Sequence, residues 1–219
     1  VPYPQGVVTL TETALRAACG GRDLDVLNMG LMGAGPPEYR ILAELGVPHP
    51  QRTMGKWRKQ ILWGSTVPGL AGVALFIDLD SVIVGPLDDY FTIGSPNDVF
   101  VARNWARPLQ KLGQTSVFRF PVGGNAHILD GFRADAQGVA DKHQFEQHYV
   151  THAVTGGVKF WPGAWTKHFR LHCLPPFPLR YFVPARLPAG ARIVTFPGGP
   201  NPDDVMVGRW NKRVPPFPT

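Results

Sequence analysis

Apolar and polar positions fall in blocks along this chain, and the blocks predict its elements. Five consecutive apolar residues, Val73–Ile77, without polar alternation predict a strand buried on both faces, as parallel strands are. A second apolar run, residues 81–84, follows after only Asp78, Leu79 and Asp80. Upstream, residues 7–10 and 24–29 read as short strands. Thr11 and Glu12 open a helix that runs through Cys19 and that Gly20 and Gly21 close; Pro36 and Pro37 start another over 38–45, ended by Gly46 and kept from resuming by Pro48. This strand–helix–strand–helix rhythm is that of a βαβ nucleotide-binding half. Residues 54–63 are helical by composition. Beyond the acids, a helical turn is expected over 87–91 with Asp88 as its cap, strands over 98–102 and 115–120 with a loop at 103–110 between them, and helices over 126–132 and 137–154. Proline, 23 residues in all, concentrates after residue 155, where turns and extended segments are expected.

The two acids between apolar runs carry the chemistry. A buried carboxylate is costly unless paired, hydrogen-bonded or bound to a cation, and the nearest basic residues in sequence are Lys59 and Arg103. Side chains two apart on an extended segment share a side, with Cα atoms roughly 6.5 to 7 Å apart. Asp78 and Asp80 therefore read as ligands of an oxygen-preferring ion, Mn²⁺ or Mg²⁺, completed by substrate phosphate. The competing reading is a turn or helix-capping Asp at a strand end.

The rest of the composition narrows the classes. A chain of 219 residues is expected to form one domain, residues 1–110 being its nucleotide-binding half and 111–219 its acceptor and sugar half. Cys19 and Cys173 make neither a disulfide framework nor a zinc site and read as small buried hydrophobes. With no signal-like segment and no apolar run of 18 residues, a cytoplasmic protein is expected. The formal charge of +6 favours anionic ligands and suits work at the inner face of a membrane. No run of five basic residues occurs, which argues against nucleic acid. There is neither a GxGxxG nor a Walker A loop, and no glycine-rich basic loop follows the first strand, which disfavours dehydrogenases, P-loop enzymes and nucleotidyltransferases.

The segment FIDLDSVIVGPLDDYF resembles the Asp-x-Asp segment of GT-A-fold, nucleotide-sugar-dependent glycosyltransferases, and other segments follow suit: GKWRKQILW, GQTSVFRFPVG, FEQHYV and the long stretch from Lys159 to Trp210. The resemblance covers roughly residues 55–210. It implies an α/β fold, a single GT-A-like, Rossmann-like domain with a mostly parallel central sheet flanked by helices. It also implies transfer of a sugar from a nucleotide diphosphate to an acceptor hydroxyl on a glycan, a lipid-linked or a small molecule. By the same resemblance Lys59 lies near the donor phosphates, Gln114 lines the sugar pocket where relatives carry Asn, and Glu146 with Gln147 matches an acidic-Gln pair that orients or deprotonates the acceptor. Asp80 is the first choice of metal ligand, Asp78 sharing the ion or holding the ribose. Trp105, Trp161 and Trp165 are candidates for stacking on a sugar, with core packing as the competing reading.

The chain departs from the family pattern near its end. Where relatives have a metal-binding histidine and a phosphate-binding lysine, it carries Pro197 and Asn201, with His168 and His172 as nearby substitutes. Asp88 and Asp89 read as structural. His143, His148 and His152 lack the further ligand that zinc would require. The departures keep a second expectation open, a carbohydrate- or nucleotide-binding scaffold that does not turn over.

Overall fold

The structure, a computed structural model, describes residues 47, 48, 50, 51, 57–67 and 70–207. The strands and helices expected over 7–45, residues 54–56 and Cys19 lie outside the described residues. Within them the protein is a mixed α/β structure with two mixed sheets. In the first sheet the order is β1 (Val73–Ile77), β4 (Gly113–Pro121), β3 (Phe100–Arg103), β5 (Lys159–Phe160), and only the β3–β5 pair is parallel. In the second the order is β2 (Ser81–Ile83), β7 (Ile193–Thr195), β6 (Thr166–His168), with β6 and β7 parallel. A mostly parallel sheet was expected; among the described residues antiparallel pairings outnumber parallel ones. The apolar run Val73–Ile77 does form a strand, but every residue of it is only half-buried and its one described neighbour, β4, is antiparallel. The strand buried on both faces is β4, at the centre of the described pairings.

β4 separates two cores. Phe118 and Phe120 enter a cluster with Trp57, Trp63, Phe132 and Val150, where Trp63 stacks on Phe118 at 5.5 Å and Trp57 on Phe132 at 5.3 Å. Val117 faces a second cluster with Tyr90, Phe100 and Trp161. On a pleated strand successive side chains take opposite faces, so Arg119 falls on the side of Val117. It is fully buried, and its two terminal nitrogens donate to the carbonyls of Tyr90, Phe91, Ile93, Ser95 and Asp98. One guanidinium thus satisfies the C-terminal carbonyls of helix α1 (Asp88–Thr92) and the turn after it, groups a helix end leaves without partners. Gly94, at φ 63°, makes that turn possible, because a Cβ there would meet Asp98 Oδ2 and the Phe100 ring at 2.8 Å.

Three helix expectations change in detail. The Trp57–Trp63 segment is a 3₁₀ helix. The single helix expected over 137–154 is two, α3 (Ala136–Lys142) and α4 (Glu146–Ala153), because His143 and Phe145 are extended; the remaining helix of the pair region, α2 (His127–Ala134), precedes them. Asp88 is not the cap of α1 but its first residue, Leu87 holding the cap position, while Asp89 forms an ion pair with Arg192. A last short helix, α5 (Pro202–Met206), ends the described chain.

Candidate functional site

The Asp-x-Asp segment is the crossing between the two sheets. Asp78 N–H donates to the Ser116 carbonyl at 2.8 Å, continuing the β1–β4 ladder by one residue. The Asp80 carbonyl accepts from Phe196 N–H at 2.9 Å, which begins the β2–β7 ladder one residue early. One acid closes the first sheet and the other opens the second. The backbone bends at Leu79 and Asp80, so the straight extended geometry assumed for the pair is not what the chain adopts. Leu79 between them is 53% exposed, whereas Asp78 is buried and Asp80 half-buried.

Asp78 has a protein partner. Lys59 Nζ lies 2.8 Å from Asp78 Oδ1 and 2.9 Å from Oδ2, and donates to the Thr115 carbonyl at 2.9 Å. Only 11% of the lysine side chain is exposed. A metal ion is the expected partner of a buried acid pair; for Asp78 the fold supplies Lys59 instead, from nineteen positions upstream. Lys59, placed by resemblance near donor phosphate, here spends its charge on Asp78, with its ammonium 5.0 Å from the centre of the Phe76 ring.

The network continues through Thr115. Its hydroxyl donates to Glu146 Oε2 at 2.8 Å, and Glu146 is buried rather than on a helix surface. Gly113 N–H donates to Thr151 Oγ1 at 2.9 Å, and Thr151 Oγ1 donates to the Gln147 carbonyl at 2.6 Å. The first turns of α4 are thereby locked to the start of β4. Between these contacts lies Gln114, half-buried, its Oε1 accepting from Ser116 N–H at 2.9 Å. Lys59, Asp78 and Glu146 are therefore joined through Thr115 at the carboxyl end of β1, with Gln114 next to Thr115 in the strand and Gln147 next to Glu146 in the helix. Thr115, which joins them, was missed in the sequence, since a lone Thr in a strand carries no local signal.

The tryptophans divide. Trp161 is a core residue, its ring 4.6 Å from Tyr90 and 5.3 Å from Phe100. Trp165 is half-buried, borders the same cluster as Ile77, and has the Arg192 guanidinium 4.2 Å from its ring centre. Trp105 is half-buried with His168 and His172 set edge-on to it at 5.4 and 6.0 Å. His168 Nδ1 accepts from Arg170 N–H, so the neutral His168 ring carries its proton on Nε2, while His172 Nδ1 faces both the N–H and the carbonyl of His168, at 2.9 and 3.1 Å. Burial, with His172 and Arg170 adding repulsion, brings His168 down to about 4; His172 is lowered by burial first and by Lys167 second. Asn201, where the resemblance led to the expectation of a lysine, precedes α5 and donates its backbone N–H to Asp204 Oδ2 at 2.9 Å, a helix-start role.

Among the described residues no group of three or more His, Cys, Asp or Glu side chains is placed to hold a metal ion. The oxygen donors of the Asp-x-Asp segment suit Mg²⁺ or Mn²⁺ only in the mode in which one or two carboxylates bind and phosphates and water fill the other positions. Compared with known proteins, the chain matches no family model and no curated sequence.

Proposed function

We propose that the protein is a GT-A-like glycosyltransferase that moves a sugar from a nucleotide diphosphate donor to an acceptor hydroxyl with the help of Mn²⁺ or Mg²⁺. The observation that carries this reading is the chain of contacts Asp78–Lys59–Thr115–Glu146, drawn from four separate segments, beside an acid-containing crossing between two sheets. Ligands of open α/β sheets lie outside the carboxyl ends of the strands, where this crossing sits. Asp80, the first choice of ligand by the resemblance, is the carboxylate assigned to the cation. The ion, when bound, supplies Lewis-acid stabilisation of the leaving diphosphate.

The protein groups hold and orient. The Lys59–Asp78 pair fixes the start of the crossing. Gln114, its Oε1 taken up by Ser116 N–H, directs its amide NH₂ to a sugar hydroxyl. Glu146 acts as a positioning residue through Thr115, whose hydroxyl it anchors and whose carbonyl anchors Lys59. Gln147, on the next position of α4, is assigned to the acceptor.

The second reading is a sugar- or nucleotide-binding scaffold without turnover. It is favoured by the engagement of Asp78 with Lys59 and by Pro197 and Asn201 in place of the family's His and Lys. A thermal-shift panel of UDP-, GDP-, dTDP- and CMP-sugars with and without Mn²⁺, followed by a donor-turnover assay, separates the two. A ligand that binds only the folded state raises Tm by mass action. A Mn²⁺-dependent rise with turnover supports the transferase; a rise without turnover supports the scaffold; no rise with any donor defeats both.

A further inference from the structure

The charge of this chain is not scattered. Residues 147–202 contain no Asp or Glu, yet they hold Lys159, Lys167, Arg170, Arg180, Arg186 and Arg192. Those six are taken from a total of 22 Lys and Arg, which leaves the remaining 16 to match the 16 Asp and Glu of the rest of the chain. The net charge of the protein is therefore the charge of this one stretch. Lys159 pairs with Asp98 and Arg192 with Asp89. Among the described residues Lys167, Arg170, Arg180 and Arg186 form no ion pair.

The same stretch exposes several large apolar side chains. After Cys173 the chain makes an excursion and returns at Arg186, whose N–H donates to the Cys173 carbonyl at 2.9 Å. The base is anchored by Phe169, Cys173, Val194 and Phe196, with Leu174, Ala185 and Val205 packed against them; Val205 belongs to α5, whose Asp203 and Asp204 are the first acids after the stretch. At its far side a 3₁₀ turn, Leu179–Tyr181, carries Phe177, Leu179 and Phe182 at 72, 51 and 78% exposure. In a 3₁₀ turn side chains three apart eclipse, so Leu179 and Phe182 share a side. Pro175, Pro176, Pro178 and Pro184 stiffen the excursion, which lowers the ordering cost of any contact its apolar tip makes. Single exposed apolar residues need no explanation, but three within six positions of a closed, anchored loop form a patch that does.

We propose that this excursion is a membrane-docking surface: Phe177, Leu179 and Phe182 insert at the headgroup boundary of an anionic bilayer while Arg170, Arg180, Arg186 and Lys167 meet its lipid phosphates. The charge complementarity selects this occupant, since exposed aromatic and aliphatic side chains on a stretch of chain with six basic residues and no acid of its own are what an anionic lipid surface attracts. An acidic protein would match the charge but gives no reason for exposed Phe side chains on a basic stretch, and a second copy would bring like charge against like. The surface is independent of the sugar-transfer reading, which concerns the crossing at Asp78 and Asp80.

The test is cosedimentation of the full chain with sucrose-loaded vesicles of equimolar phosphatidylglycerol and phosphatidylcholine, and with pure phosphatidylcholine vesicles. Binding is expected to the first and not the second, and to weaken as salt is raised. The double variant Phe177→Ser/Phe182→Ser lowers the partition coefficient about tenfold or more, and Arg170→Gln and Arg186→Gln lower it about fivefold each. All four positions are exposed, so the variants keep the wild-type Tm, which is measured alongside. Absence of binding, equal binding to both vesicles, or binding undiminished in the double variant overturns the proposal. So does a wild-type dimer in light scattering that the double variant turns into monomer while vesicles are ignored.

Discussion

The candidate site and the excursion between Cys173 and Arg186 are built on opposite principles. Around the site and in the core beside it the buried charges are met by the protein itself: Lys59 by Asp78, Glu146 by Thr115, Arg119 by five carbonyls. On the excursion the arginines have no acid near them in sequence, and the apolar side chains face water. The difference teaches where stability and where binding reside. Charges buried with their partners hold a shape and are expensive to disturb; charges and apolar groups left unsatisfied at the surface cost the fold little and are available to something else.

That contrast is broken most severely at Arg119. Arg119→Leu leaves five carbonyls without their donor in a buried setting, and a loss of about 3–5 kcal/mol is expected in urea unfolding, with an unchanged m-value. Next comes Lys59→Met, which strands the Asp78 carboxylate at 7% exposure and costs about 3 kcal/mol. The double variant Lys59→Met/Asp78→Leu recovers most of that loss, since an apolar pair of similar volume removes the desolvation penalty along with the attraction. A double variant no more stable than Lys59→Met would show that the two side chains are not coupled.

The histidines give a smaller, pH-dependent effect. His168, at about 4, and His143, His148 and His172, all lowered chiefly by burial, are charged more readily in the unfolded chain than in the folded one. The unfolded state therefore binds more protons below the ordinary histidine range. Stability is full above about pH 6.5 and falls as pH drops toward 4, by about 1–2 kcal/mol once solvent screening of these half-exposed rings is allowed for. His168→Gln and His172→Gln together flatten the part of that slope measured between pH 7 and pH 5. At the other extreme, Phe177→Ser/Phe182→Ser stays within about 0.5 kcal/mol of wild type in the same unfolding experiment, because these side chains give up no buried surface.

The local pattern of the sequence foretold much of this. The uninterrupted run Val73–Ile77 is a strand with those bounds, and strands near 98–102 and 115–120 appear as β3 and β4, because apolar runs between turn residues specify elements locally. What the pattern could not show is pairing. Val73–Ile77 reads as a parallel, doubly covered strand, but its described partner is antiparallel, a fact set by residues forty positions away. The buried acid at Asp78 is legible; its partner is not, since Lys59 looks like any basic residue of an amphipathic helix until the fold brings it to 2.8 Å. Arg119 offered a usable signal, a lone charge inside the apolar strand TSVFRFP, and the acid-free stretch from 147 to 202 offered another. Both concern the distribution of charge rather than its total, and a total of +6 conceals them.

The central claim is that the crossing between the sheets grips a cation through Asp80 and, through that cation, a pyrophosphate. A crystal soaked with Mn²⁺ and a sugar nucleotide tests it most directly, with the metal located by its anomalous signal. The account predicts manganese within about 2.5 Å of an Asp80 carboxylate oxygen and of phosphate oxygens, the Lys59–Asp78 pair remaining closed beside it. A donor bound elsewhere, or Asp80 turned into the protein with no ion on it, contradicts the account.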